Sequence, residues 1–286
     1  MKNRLILVIL LLIIILGICI KVNYPKTITP ELTCNYFTKD LFNTNILKAI
    51  TYETKSKPVS AVVPHNEGIM DMTASVLKTL SCYKYDTIIL LAPNHKARIG
   101  KMLISGKSWD TPIGVVEGDD EVKEEICKSI GPEIIEEEIV VQEDHSASIV
   151  IPYIKKYMPK TKVVTILLNK EMSINDVYEL AKTLDEVSRN KNILLLGSID
   201  FAHYQDYDTT VFQDKKTLAL IEDKDIEQLK VLHGENLDTS EAMGTIILYS
   251  ESKGAKDMRI LEERIVSNMP SSNDYGSYMS FISERD

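Results

Sequence analysis

The chain has 286 residues, 44% of them hydrophobic, and a formal net charge of −9. That apolar share supports a substantial core and excludes global disorder. The acidic balance excludes a nucleic-acid footprint, which needs a basic surface to neutralise phosphates, so no nucleic-acid partner is expected.

The chain opens with Lys2 and Arg4 ahead of an unbroken apolar run, Leu5–Ile20. As a helix this run would span roughly 24 Å, somewhat short of a ~30 Å hydrocarbon core. No small-x-small cleavage site follows it, so residues 1–24 read as a transmembrane signal anchor rather than a removed signal peptide. Lys2 and Arg4 favour a cytoplasmic N-terminus and an extracytoplasmic domain, while Lys21 and Lys26 beyond the run oppose that bias. Leu16-Gly17-Ile18-Cys19 carries a bulky isoleucine where a lipoprotein box wants a small residue, which argues against lipidation.

Residues 21–30 form a short linker with Pro25 and Pro30, and no later linker or repeat is visible. One domain over 31–286 is the economical organisation. Cys19, Cys34, Cys82 and Cys127 contain no CxxC pair, so zinc-ribbon and thioredoxin readings lack support. No disulfide is expected, with Cys82 and Cys127 read as core-facing helix residues.

From residue 58 strand and helix alternate. Val59–Val63 is a short apolar strand, followed by a helical stretch through Leu80. Thr87–Ala92, Val163–Leu168 and Ile193–Leu196 are continuous apolar runs, the signature of strands covered on both faces. Ser146–Tyr157 reads as helical. In Ser173–Arg189, Ile174, Val177, Leu180, Ala181 and Leu184 form one stripe and Ser173 can cap the start. Arg259–Val266 and Ser277–Ile282 look like further strands. The pattern predicts a layered α/β/α domain around a largely buried central sheet.

His65, His95 and His203 each follow an apolar strand, and His145 precedes a helical stretch. In open α/β sheets the carboxyl ends of the strands are where ligands gather, so this shared placement points to one pocket. His233 reads instead as part of a helix C-terminus ending at Gly234, where an imidazolium suits the dipole. Metal binding needs neutral imidazoles and ionised carboxylates converging on one point. Glu67, Asp71, Asp110, Glu117, Glu143, Asp144, Asp200 and Glu241 all lie near candidate loops, and spacing does not choose among them.

At these residues the chain resembles the Memo family, relatives of the class III extradiol ring-cleavage dioxygenases. The resemblance rests on VVPHNEG at 62–68, LLAPNHKARIG at 90–100, WDTPIG at 109–114, EDHSASIVIPYI at 143–154 and GSIDFAHY at 197–204, with weaker matches at 34–50, 239–247 and 274–281. It implies that His65 and His95 are metal ligands and that His203 is the acid and base beside the metal. His145 and Asp200 would complete the catalytic surroundings. Memo proteins typically carry a cysteine near position 241; here Glu241 stands there, and the resemblance implies a two-histidine, one-carboxylate site with Glu241 as third ligand.

Three functions follow from that site. The first is a non-haem oxidoreductase holding a divalent metal, Fe(II) ahead of zinc or copper, and acting on a small phenolic substrate. The second is a zinc-dependent hydrolase. The third is a non-catalytic metal- or ligand-binding module displayed at the membrane.

Overall fold

The computed structural model describes residues 29–232, 234–267 and 273–285. The expected anchor at residues 1–24 and His233 lie outside them. Among the described residues, no helix is long and apolar enough to cross a membrane.

In chain order the strands are β1 (Leu32–Thr33), β2 (Pro58–Val63), β3 (Thr87–Pro93), β4 (Met102–Ser105), β5 (Trp109–Asp110), β6 (Ile134–Glu136), β7 (Lys162–Leu168), β8 (Ile193–Ser198), β9 (His203–Gln205), β10 (Met258–Ser267) and β11 (Tyr275–Glu284). The helices are α1 (Lys39–Lys48), α2 (Met70–Leu80), α3 (Asp120–Ile130), α4 (Glu138–Glu143), α5 (His145–Ser148), α6 (Ile151–Tyr157), α7 (Ile174–Val187), α8 (Tyr207–Asp223), α9 (Ile226–Lys230) and α10 (Ser240–Ser252).

The main sheet runs β10-β11-β2-β8-β3-β7-β4-β6, with β9 laid on β11. Its centre, β2-β8-β3-β7, is parallel throughout. The antiparallel strands flank that centre: β4 against β7, and β11 against β2 and β10.

The apolar runs explain this centre. Successive strand residues point to opposite faces, and here both faces are covered. Ile89, Leu91, Val164, Ile166 and Leu195 enter a core under α3, α7, α9 and α10. Their neighbours Ile88, Leu90, Ala92, Val163, Leu194 and Leu196 enter a second core with residues of α2 and α6. A mixed α/β domain with a central sheet and flanking helices is therefore observed. Truncating one fully buried strand leucine such as Leu195 removes about 2–5 kcal/mol.

Helix α7 starts where its sequence says. The Ser173 hydroxyl accepts from the Asp176 N–H while the Asp176 carboxylate accepts from the Ser173 N–H, a complete capping box. Two expectations need correction. The stretch Ser146–Tyr157 is not one helix but two, α5 and α6, and Pro152 lies in the first turn of α6, where its missing N–H is tolerated. Cys82 is exposed rather than core-facing, because it falls in the turn after α2, past Leu77 and Leu80, which fill the core. Cys127 is half-buried and Cys34 buried, and all three are free thiols.

Candidate metal centre

The parallel strands deliver the site. β2 ends at Val63 and His65 follows; β3 ends at Pro93 and His95 follows; β8 ends at Ser198 and Asp200 follows. All three loops leave the same edge of the sheet, because β2, β8 and β3 are adjacent and parallel. His145 joins them as the first residue of α5, beside the buried N-cap residue Asp144.

His65, His95 and His145 each present a ring nitrogen, and these atoms lie within 4.8 Å of one another. Their ring centroids are 4.6–5.8 Å apart. Second partners orient two of the rings. The His95 Nδ1–H faces the Asp144 Oδ1 at 3.1 Å, leaving Nε2 for a ligand. The His65 Nδ1 lies 3.1 Å from the Ser198 hydroxyl, which itself donates to the Ser146 carbonyl at 2.6 Å. Such carboxylate and hydroxyl partners set tautomer and ring direction in metal-binding histidines.

Charge in the pocket is unevenly distributed. Burial pushes Asp144 up, but hydrogen bonds from His95 and Ser146 outweigh it and hold its carboxyl at about 2. Burial opposes a charge on His65, yet the carboxylates of Asp200 and Asp238 raise it to about 9. Burial and the neighbouring His65 and His95 lower His145 to about 4, so it is a neutral donor at pH 7. Asp200 is held above the usual carboxylate range by burial, with Asp238 adding to the rise and His65 opposing it.

Asp200 and Asp238 flank His65. Asp200 Oδ1 accepts from the His65 N–H at 2.9 Å, and its Oδ2 lies 3.6 Å from Nε2. Asp238 Oδ2 lies closer to Nε2, at 3.1 Å. His203 stands in β9, paired with β11, and its Nδ1 donates to the Phe201 carbonyl at 2.7 Å. Its Nε2 is then the free basic nitrogen. These residues share a cavity of about 520 Å³ with Tyr36, Phe37, Glu67, Tyr204 and Tyr278.

The structure thus brings His65, His95, His145, Asp200 and His203 together. It does not bring Glu241. That carboxylate is buried at the start of α10, with Oε1 2.9 Å from Lys230 Nζ and Oε2 near the Thr239 hydroxyl. The histidines that converge are His65, His95 and His145, which could hold a metal ion, whereas the first turn of α10 aims residue 241 at Lys230 of α9. Asp238 is the residue that sequence reasoning missed. It lies in a polar loop with no strand or helix pattern of its own, so nothing in the spacing marks it. Tyr204 was missed too, although it follows His203 directly and has φ +62°.

Fold and cluster together define an α/β protein whose three histidines, gathered at the carboxyl ends of parallel strands, could hold a metal ion. The chain belongs to the Memo-like protein family, which it matches over residues 36–281. It is 25% identical to a MEMO1 family protein of Caldivirga maquilingensis over 73% of this chain and 77% of that one. It is 29% identical to another from Sulfolobus acidocaldarius, over 70% and 71% of the two chains. An uncharacterized Escherichia coli K12 protein of known structure shares the fold, with a TM-score of 0.57 and 15% identity over 78% of this chain and 98% of that one.

Proposed function

We propose that the chain is a metal-dependent oxidoreductase acting on a small phenolic substrate, with His65, His95 and His145 holding the ion. The observation that carries this reading is the convergence of three imidazoles, two of them oriented from behind by Ser198 and Asp144. Imidazole donors suit iron, copper and zinc, and Fe(II) is favoured by the likeness to the ring-cleaving dioxygenases. When bound, the ion would supply Lewis acidity and, as iron, the electrons for oxygen chemistry.

The remaining side chains prepare the substrate. His203 Nε2 is the nitrogen that accepts the phenolic proton, since Nδ1 is committed to the Phe201 carbonyl. Tyr36, Phe37, Tyr204 and Tyr278 offer ring faces and edges to a planar ligand. Among the described residues the lining holds no lysine or arginine, while Asp200, Asp238 and Glu67 are acidic. That lining favours neutral or cationic phenols over carboxylated ones.

Fe(II)-loaded protein offered catechol, dopamine and protocatechuate under air tests this. Ring opening, followed by the absorbance of the product, is expected with catechol and dopamine and lost about 10²–10⁴-fold in His203→Ala. No turnover with any of the three would overturn the reading. The all-imidazole donor set also suits water activation by zinc. Ester hydrolysis by zinc-loaded protein without oxygen would favour that second reading instead.

The apolar run Leu5–Ile20 supports a further part of the reading, a membrane tether for the domain. The full chain should then stay in the membrane pellet through alkaline carbonate extraction; release by carbonate would remove the tether.

A further inference from the structure

We infer that Tyr278 is the hydrogen-bond donor that holds the substrate's ionised oxygen in the cavity; this rests on the phenolic-substrate reading above. Around the cavity, one buried hydroxyl proton is unused.

Among the described residues, four hydroxyl-bearing side chains line the cavity: Tyr36, Thr38, Tyr204 and Tyr278. Tyr36 donates to the Glu143 carbonyl at 3.2 Å, and Thr38 donates to Glu67 Oε1 at 2.5 Å. Tyr204 is 77% exposed, so water competes for its proton. Tyr278 is 3% exposed, and its hydroxyl oxygen accepts from the Asn66 side-chain amide at 2.8 Å. That amide is held in one orientation, because Asn66 Oδ1 accepts from the Gly68 N–H at 3.0 Å. Tyr278 is therefore an acceptor toward Asn66, and among the described residues no acceptor takes its proton. A buried O–H without an acceptor is costly, and a ligand oxygen would satisfy it.

The ring is held in place from several sides. It lies across Gly276, where a Cβ would come within 2.5 Å of the Tyr278 hydroxyl oxygen and 2.9 Å of its Cζ. It also packs with Ile69 and with Met72 of α2. Gly276 is in turn the β11 residue paired with His203 of β9. Base and donor are thus neighbours across one strand pair.

The chemistry calls for such a donor. Once His203 removes the phenolic proton, the substrate oxygen carries a negative charge beside Asp200, Asp238 and Glu67. Among the described residues, the lining offers neither lysine nor arginine to meet that charge. A preorganised, buried donor stabilises an oxyanion more strongly than a solvated one. Burial, with Asp200 next, pushes the Tyr278 phenol up, so it keeps its proton and donates.

Anaerobic titration of the full-length, Fe(II)-loaded protein with 4-nitrocatechol tests this, because the visible spectrum of that probe reports both binding and ionisation. Tyr278→Phe keeps the ring over Gly276 and removes only the hydroxyl. It should weaken probe binding about 10–100-fold, the usual range for one hydrogen bond to a charged group, and reduce the ionised band at pH 7. Bound iron and circular dichroism should match the parent. Parent-like affinity and spectrum in Tyr278→Phe would overturn the inference and leave the substrate reading standing. Loss of iron in Tyr278→Phe would overturn it too, making Tyr278 a support of the metal site rather than a contact of the substrate. No binding of 4-nitrocatechol by the iron-loaded parent would remove both the phenolic reading and this inference.

Discussion

His95 and Asp144 are joined twice: the His95 backbone N–H donates to Asp144 Oδ2 at 2.7 Å, and the ring Nδ1 meets Oδ1 at 3.1 Å. The same carboxylate caps α5 through the Ser146 N–H and accepts from the Ser146 hydroxyl at 2.6 Å. One fully buried group therefore sets both the direction of His95 and the start of the helix that carries His145.

Asp144→Asn should accordingly damage metal affinity more than an ordinary cap loss would. If His95 holds the ion as proposed, a fall of about 10–100-fold is expected, the usual cost of losing the partner that orients a metal-binding histidine. Stability should drop by about 1–3 kcal/mol, from the charged hydrogen bonds removed. Metal titration and urea denaturation of the same variant check both. An unchanged affinity with reduced stability would confine Asp144 to capping.

Gly197 precedes Ser198 and packs beneath α10. A Cβ placed there would collide with Ile246 Cδ1 and come within 3.1 Å of Ile199 Cδ1. Gly197→Ala should destabilise by about 1–3 kcal/mol, the usual cost of overpacking. Adding Ile246→Val should recover part of the loss, because it removes the atom in the way. Urea midpoints of single and double variants decide it, and a neutral Gly197→Ala would mean that α10 yields freely.

Asp214 on α8 is 2% exposed, and among the described residues only the Ser277 hydroxyl and the Ala202 backbone face its carboxylate, both loosely. Burial raises its carboxyl to about 6. The unfolded chain releases that proton near pH 4 and the folded chain near pH 6, so the native state binds more protons between the two. Stability from this group is therefore full below about pH 4, falls as pH rises to about 6 and stays lower above. Asp214→Asn should remove that slope and stabilise the protein by about 1–2 kcal/mol at pH 8. Equal urea midpoints for parent and variant at pH 8 would count against it.

Tyr204 is 77% exposed and holds a left-handed backbone at the cavity rim. Tyr204→Gly should relieve about 1 kcal/mol of strain. If the ring stacks on substrate, the same variant should bind catechol more weakly while melting at a higher temperature. Calorimetric titration beside a thermal melt tests the pair, and unchanged binding would make Tyr204 a bystander.

Much of this was legible before the fold was known. The central strands declared themselves as apolar runs, since burial on both faces leaves no room for polar alternation. His65, His95 and His203 stood out because each follows such a run. The short strands β4 and β6, and helix α8 with its mixed surface, carry no comparable signal. Glu241 was singled out by resemblance alone, and the chain pattern carries no sign that its carboxylate meets Lys230 in the fold.

By itself the sequence determined the layered α/β class, the family and the histidines at the strand ends, because hydrophobic period and local motif survive in one dimension. Only the tertiary structure decided which carboxylates meet those histidines. Asp144 reaches His95 across 49 residues, and Asp200 reaches His65 across 135. Asp238 arrives from a loop further on still. The sheet order β2-β8-β3 made these loops neighbours, and spacing along the chain holds no record of strand order.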